Sequence, residues 1–207
     1  MKLVTNTQIT VDGVMQANGG NNPELDPGFD RGGWAIPLGD EESVGFIGDC
    51  YLRADAFLFG RRTYDLFASY WGVQTDLESP FVRSLNTRPK FVASDTITDP
   101  QWADTTVLPG RGADGEGREL EAAIRALKAR PGGELQVHGS GQLIRWLLER
   151  ELVDEMVLIV CPVIVGAGKR LFPEEGRDVA LELLESRTFP TGIVAQTYRP
   201  GGRPQYA

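Results

Sequence analysis

The chain has 207 residues, 41% of them hydrophobic, with 25 glycines and 13 prolines. Roughly half of it is therefore apolar, which excludes whole-chain disorder and suffices for one sizeable core, so a single domain over residues 1–207 is expected. Its 21 Lys+Arg against 29 Asp+Glu leave a net charge of −8. That balance argues against a sequence-independent grip on nucleic acid or an anionic membrane, both of which need surplus cations.

Met1 to Gln8 turns polar before any apolar run develops, so no secretory signal is expected. The longest apolar stretch, Met156 to Ala167, is broken by Pro162 and is too short to span a bilayer. Cys50 and Cys161 lack C-x-x-C spacing, which fits two reduced thiols in the cytoplasm. With one histidine and two cysteines, no metal site is expected.

Leu3 to Val11 alternates loosely and stops at Asp12-Gly13, predicting a strand. Val14 to Gly33 is rich in Gly, Asn and Pro without periodicity. A loop of that length in a compact domain is usually a functional lid or disordered. Asp40 to Ser43 then places acidic and capping residues ahead of Val44, Ile47 and Tyr51 at helical spacing. Ala56 to Phe59 predicts a short buried strand, followed through Gly60 by a helix over Thr63 to Trp71. Lys90 to Ser94 and Thr105 to Leu108 read as further strands.

Glu119 to Arg130 carries Leu120, Ala123, Ile124 and Leu127 at i, i+3, i+4 and i+7, a helix stopped by Pro131-Gly132-Gly133. Glu134 to His138 is a strand into Gly139-Ser140-Gly141, after which Leu143/Leu147 and Ile144/Leu148 mark another helix. Met156 to Val165, Leu181 to Ser186 and Ile193 to Tyr198 then read as three strands with no helix between them. Alternation first and consecutive strands afterwards predict an α/β fold with a mixed, mostly parallel central sheet and an antiparallel C-terminal edge.

Two turns deliver a strand into a helix start, where unpaired amides and the positive dipole end attract phosphate. At Gly60-Arg61-Arg62-Thr63 the glycine permits close approach and two guanidiniums can fork onto phosphate oxygens. Gly139-Ser140-Gly141 removes side-chain bulk and adds a hydroxyl. A plain tight turn would produce either motif by itself. Two in one sheet can face one crevice, which suits a dinucleotide.

Three look-alikes are weaker. Gly110 to Gly115 spells G-x-G-x-x-G, yet Glu116 and Glu119 would face an incoming pyrophosphate. Gly139-Ser140-Gly141 continues with Ile144 where a Rossmann fingerprint has its third glycine. Gly166-Ala167-Gly168-Lys169-Arg170 imitates the end of a P-loop, with Val163 in place of the first glycine and Arg170 in place of the Mg²⁺-binding hydroxyl. His138, the only histidine, has no G-x-S-x-G elbow and reads as a strand-end packing residue. Trp34, past the long loop, can cover a flat ring or simply pack. Asp12, Asp40, Glu41 and Asp49 are the carboxylates nearest that loop, and desolvation would be needed to make one a proton donor.

Taken together, Thr10-Val11-Asp12-Gly13-Val14-Met15, Gly32-Gly33-Trp34, Gly60-Arg61-Arg62-Thr63-Tyr64, Leu135 to Gly141 and Cys161 to Phe172 resemble the dihydrofolate reductase family. Within it, the C-terminal reductase domain of the bifunctional riboflavin-pathway deaminase-reductase is the nearer likeness, over Leu3 to Pro200, with no deaminase module ahead of it. The resemblance implies a dihydrofolate reductase-like three-layer fold with helices on both faces of the sheet. It also implies NADPH as cofactor and hydride transfer to a C=N or C=O bond of a pterin-like or ribosylaminopyrimidine substrate.

By motif, Gly60, Arg61, Arg62 and Thr63 would take the adenosine 2′-phosphate and pyrophosphate, with Ser94 near the adenine end. Gly139, Ser140, Gly141, Gln142 and Leu143 would cradle the pyrophosphate, and Trp34 would lie by the substrate. Asp12 and Asp40 are the candidate proton donors. The pterin-binding acid of dihydrofolate reductases falls one place late here, at Asp40, which argues against folate as substrate. A cytoplasmic homodimer is expected, acting on a small molecule. The alternatives are a non-catalytic NADP-binding regulatory module and a true dihydrofolate reductase.

Overall fold

The structure, a computed structural model, describes residues 1–112 and 115–207. Eight strands lie in the order β4-β3-β2-β5-β1-β6-β8-β7. They are β1 (Lys2–Thr10), β2 (Ala54–Gly60), β3 (Lys90–Ala93), β4 (Thr105–Leu108), β5 (Glu134–His138), β6 (Glu155–Cys161), β7 (Leu181–Thr188) and β8 (Val194–Pro200). The helices are α1 (Glu41–Leu52), α2 (Arg61–Tyr70), α3 (Pro80–Thr87), α4 (Arg118–Lys128) and α5 (Gly141–Glu149). β2 pairs parallel with β3 and β5, and β3 with β4, whereas β8 runs antiparallel to both β6 and β7. The sheet is mixed, with the antiparallel edge at the C-terminal end as the pattern predicts.

The chain packs as two compact units, Met1–Val4 with Ile47–Ser140, and Thr5–Phe46 with Gly141–Ala207. In the first, Tyr51, Phe57, Phe59, Tyr64, Leu85, Val92 and Trp102 form a buried aromatic and aliphatic cluster. Lys90 is fully buried at the start of β3, where its ammonium donates to the carbonyls of Leu85 (3.0 Å) and Arg88 (2.8 Å) and closes the end of α3. Burial brings its pKa down to about 8. In the second unit the buried residues include Ile144, Leu147, Met156, Ile159 and Phe189, the last with its ring 5.5 Å from that of Phe46.

Four details depart from the sequence reading. α3 is an extra helix, opened by Pro80, whose missing N–H is no loss in a first turn. α2 begins at Arg61, so both arginines lie in its first turn rather than before it. β6 ends at Cys161 instead of Val165, because Pro162 has no amide for the ladder. α4 stops at Lys128, two residues early.

Candidate functional site

β2 and β5 are parallel neighbours, so the corners that follow them emerge at the same end of the sheet. The Gly60 amide donates to Ser140 Oγ at 3.0 Å, joining the two corners directly. Gly139 and Ser140 take consecutive left-handed conformations, φ +58° and +56°. Gly139 does so freely, but a serine there stores backbone strain, a feature that concentrates at ligand sites. A Cβ at 139 would lie 3.7 Å from Thr63 Cγ2, so Thr63 stands beside this corner as well.

Neither corner is closed by its own side chains. Gly60 gives α2 no side-chain cap, and the first turns of α2 and α5 contain no acid. Their amide ends carry the positive pole of the helix without internal compensation. Arg61 Nε donates to Asp65 Oδ2 at 2.7 Å and its Nη1 to Thr96 Oγ1. Thr96 in turn lies 3.3 Å from Ser94 Oγ, which also accepts the amides of Thr96 and Ile97. Arg61 and Ser94, 33 positions apart in the numbering, are thus linked through Thr96, which the sequence reading missed. The Ser-x-Thr spacing was the only local hint.

Gly141 begins α5 beneath Met15, since a Cβ at 141 would meet Met15 Sδ at 2.6 Å. Gln142 and Leu143 follow in the first turn, Gln142 exposed and Leu143 buried. The 14–33 segment has no helix or strand, and it is tied down at many points. Val14 bridges Arg170, and Met15 N donates to Lys169 O at 2.9 Å. Arg31 reaches Val165 O at 2.6 Å, while Lys169 pairs with Asp26 at 3.2 Å. The Gly166 to Arg170 stretch that imitated a P-loop is the dock for this loop, and no helix follows it. Trp34 is buried and donates from Nε1 to Gln16 O at 2.9 Å, fixing the loop's two ends together.

The two candidate acids are both bound into local structure. Asp12 accepts from the Thr10 hydroxyl and from the amides of Val165 (3.1 Å) and Gly166 (2.8 Å). Led by the Thr10 hydroxyl, and against an opposing push from burial, these donors bring its pKa down to about 2. Asp40 caps α1: its Oδ1 accepts Ser43 N at 2.7 Å and Ser43 Oγ accepts Asp40 N at 3.0 Å, a reciprocal box. Its Oδ2 takes the amide and hydroxyl of Thr191. The Ser43 amide first, then Thr191, hold this carboxyl near about 2, again against burial.

His138 is buried against Tyr51, with ring centroids 4.1 Å apart, and bonds Gln136 Oε1 through Nε2 at 2.8 Å. Burial lowers its pKa to about 3, so the imidazole is neutral at physiological pH. Of the Gly110 to Gly115 look-alike, Ala113 and Asp114 lie outside the described residues. Gly110 N is taken by Asp95 Oδ1 at 3.0 Å, and Glu119 and Glu121 occupy the first turn of α4. Among the described residues no group of three or more His, Cys, Asp or Glu is arranged to hold a metal, and no helix is long and apolar enough to cross a membrane.

The chain has a dihydrofolate reductase-like architecture. Residues 1–195 match the model of the RibD C-terminal domain, and the chain belongs to that family. It is 27% identical over 203 residues to the uncharacterized protein YyaP of Bacillus subtilis, covering 97% of this chain and 96% of that one. A putative riboflavin biosynthesis protein from Shewanella sp. PV-4 shares the fold at a TM-score of 0.64 and 24% identity, covering 97% of this chain and 99% of its own. A dihydrofolate reductase from Enterococcus faecalis, solved with NADP(H), superposes at a TM-score of 0.58 with 13% identity and 96% of each chain covered.

Proposed function

We propose that the protein is an NADPH-dependent reductase of a ribosylaminopyrimidine, of the 5-amino-6-(5-phosphoribosylamino)uracil reductase type. The observation that carries this reading is the hydrogen bond joining the Gly60 and Ser140 corners, each opening onto a helix whose first turn holds no acid. Amides and guanidiniums are the donor set that phosphates require, and bulk is absent where a pyrophosphate must approach.

In this reading Gly60, Arg61, Arg62, Thr63 and Ser94 hold the adenosine 2′-phosphate end. Gly139, Ser140, Gly141, Gln142 and Leu143 hold the pyrophosphate. NADPH bound there would supply the hydride. The chain's own contribution is orientation and exclusion of water, with Trp34 assigned to the substrate. Asp12 and Asp40 are both ionised at neutral pH and have no proton to give, so the reading assigns the proton to water.

Titration with NADPH is expected to quench tryptophan fluorescence and raise the melting temperature. NADPH consumption should then appear with the ribosylaminouracil and not with dihydrofolate. Binding without consumption across pterins, ribosylaminopyrimidines and small ketones would favour a non-catalytic module, and turnover of dihydrofolate would favour a true dihydrofolate reductase. Absence of both quenching and stabilisation would reject the NADPH assignment itself.

A homodimer is supported by β7, the terminal strand of the sheet, whose eight residues are all exposed, including Leu181, Leu183 and Leu184. Antiparallel pairing of two such edges about a twofold can set Glu182 opposite Arg187 of the second copy. Sedimentation should give a dimer, and Leu183→Lys a monomer. The buried, unpaired thiols of Cys50 and Cys161 accord with a reducing cytoplasm.

A further inference from the structure

Glu134, Gln136 and His138 alternate along β5 and so share one face of it. Gln136 is fully buried. Its Nε2 donates to the Cys50 carbonyl at 2.7 Å and to Glu134 Oε2, and its Oε1 lies 2.8 Å from His138 Nε2. Turned over, the amide would set its oxygen against a carbonyl and a carboxylate, both of which only accept. One orientation survives, and in it the atom facing His138 is an oxygen that cannot donate. His138 therefore carries a proton on Nε2. Burial keeps the ring neutral, with its pKa down at about 3, so Nδ1 is bare.

The bonds continue outward to the surface. Glu134 Oε1 accepts from Arg53 Nε at 3.1 Å, and Arg53 Nη2 lies 3.3 Å from Cys50 Sγ. Inward, the His138 ring is held by Tyr51 of α1, with centroids 4.1 Å apart, and by Phe57 of β2, at 5.7 Å. Tyr51, Phe57 and Gln136 face the imidazole without charge, while Glu134 and Arg53 pair with each other one step further out.

This clamp stands immediately before the strained corner. Ser140 holds φ +56° without being glycine, and such a conformation persists only where the surroundings over-determine it. The Gly60 amide fastens Ser140 from one side. On the other, Gly139 has no side chain, so the last side chain to fix the backbone ahead of the two left-handed residues is that of His138.

We propose that Gln136 is a positioning residue for this corner: by imposing the Nε2–H form of His138 it fixes the end of β5 and holds Ser140 in its left-handed conformation. It acts through His138 and touches no ligand. The proposal deepens the NADPH reading and rests on it for what the corner binds.

His138 is the only histidine of the chain, so its ring nitrogens appear alone in a long-range nitrogen–proton NMR spectrum. The unaltered protein should show a protonated Nε2 and a bare Nδ1, unchanged between about pH 5 and pH 8. Gln136→Met has a similar length and no acceptor. It should populate the other tautomer, move the amide resonances of Gly139 to Gly141, and weaken NADPH about tenfold. NADH should weaken by the same factor, because the arginines of the other corner are untouched. In a Ser140→Gly background no left-handed strain is left to hold, and the same substitution should cost less than about threefold.

Gln136→Glu supplies the rescue. Its protonated carboxyl donates to the Cys50 carbonyl and accepts from His138 as the amide does, so low pH should restore the tautomer and the affinity. Burial and the neighbouring Glu134 raise its pKa, and affinity should fall as pH rises through that value, a dependence absent from the unaltered protein. A proton on Nδ1 of the unaltered protein overturns the proposal. So does normal NADPH binding by Gln136→Met, or a loss as large with glycine at 140 as with serine. If Gln136→Met does not fold, Gln136→Glu decides alone, and affinity independent of pH rejects the role. If the unaltered protein binds no NADPH, the cofactor reading fails by itself. The amide resonances of the corner then decide for Gln136: displaced in either variant they support it, and unmoved they reject it.

Discussion

The amino end of α1 and that of α2 solve the same problem in opposite ways. Each helix begins with amides that lack intrahelical partners. At α1, Asp40 and Ser43 bond each other's backbones, and Glu41 and Glu42 add negative charge beside the positive pole. At α2, Gly60 offers no side chain, no acid lies in the first turn, and Arg61 and Arg62 add charge of the unfavourable sign for an isolated helix. One end is complete within the chain, while the other has neither a side-chain cap nor an acid in its first turn. α4 sides with α1 through Glu119 and Glu121, and α5 sides with α2.

The most direct way to break this contrast is to remove the cations from the open end. Arg61→Ala with Arg62→Ala should weaken NADPH by about 100-fold or more, from the loss of charge-assisted bonds to the 2′-phosphate, with NADH barely affected. Isothermal titration with both cofactors checks this, and equal losses would remove the 2′-phosphate from these arginines. Stability should hardly move, since the Arg61–Asp65 pair is largely exposed.

A second test reaches the strand that leads into the other open corner. His138 is neutral in the folded protein, with a pKa near about 3, against an ordinary value of about 6.5 when unfolded. The unfolded chain therefore binds the extra proton, and stability contributed by the buried neutral ring is present above about pH 6.5 and declines toward pH 3. Denaturant titrations should lose about 2 kcal/mol between pH 7 and pH 5. His138→Phe should flatten the curve over that range.

Smaller effects are expected at Ser140. Ser140→Ala removes the hydroxyl that receives the Gly60 amide while keeping the φ +56° strain, and should cost about 1 kcal/mol. Ser140→Gly loses the same bond but relaxes the backbone, so it should melt above Ser140→Ala. Both should bind NADPH more weakly. At the closed end, Asp40→Ala opens the box and should lower the melting temperature by a few degrees. Its hydride-transfer rate should be unchanged, and a collapse of kcat would instead return the proton to Asp40. The lowered pKa values of Asp12 and Asp40 add stability that is present above about pH 4 and lost as pH falls toward about 2.

Much of the architecture was legible from local pattern. β5 was read to the residue, because Glu134 to His138 is a compact run bounded by glycines on both sides. The two glycine corners were legible for the same reason. α3 was not, since Phe81, Val82 and Leu85 are its only large apolar residues and a buried serine, Ser84, bonds the Tyr51 carbonyl at 2.6 Å. Lys90 shows the same limit: nothing around it announces a fully buried ammonium closing the end of a helix.

Within the candidate site, motif reading named the corners but not the partners. Asp12 and Asp40 looked alike as loop-side acids. Only the folded chain shows one stapling Val165 and Gly166 and the other capping α1 while bonding Thr191. Thr96 carried no motif at all, and it becomes visible only through the Arg61 guanidinium that meets it.

By itself, then, the order of residues determined the succession of strands and helices, the places where side chains shrink to glycine, and which helix starts carry acid. Those properties depend on periodicity and backbone freedom, which act over a few neighbouring positions. The tertiary structure alone decided that Gly60 meets Ser140 across 80 residues and that the two nearest carboxylates bond amides more than 150 residues away. Such pairings are selected by packing and by the need to satisfy every buried donor and acceptor, and no local pattern encodes them.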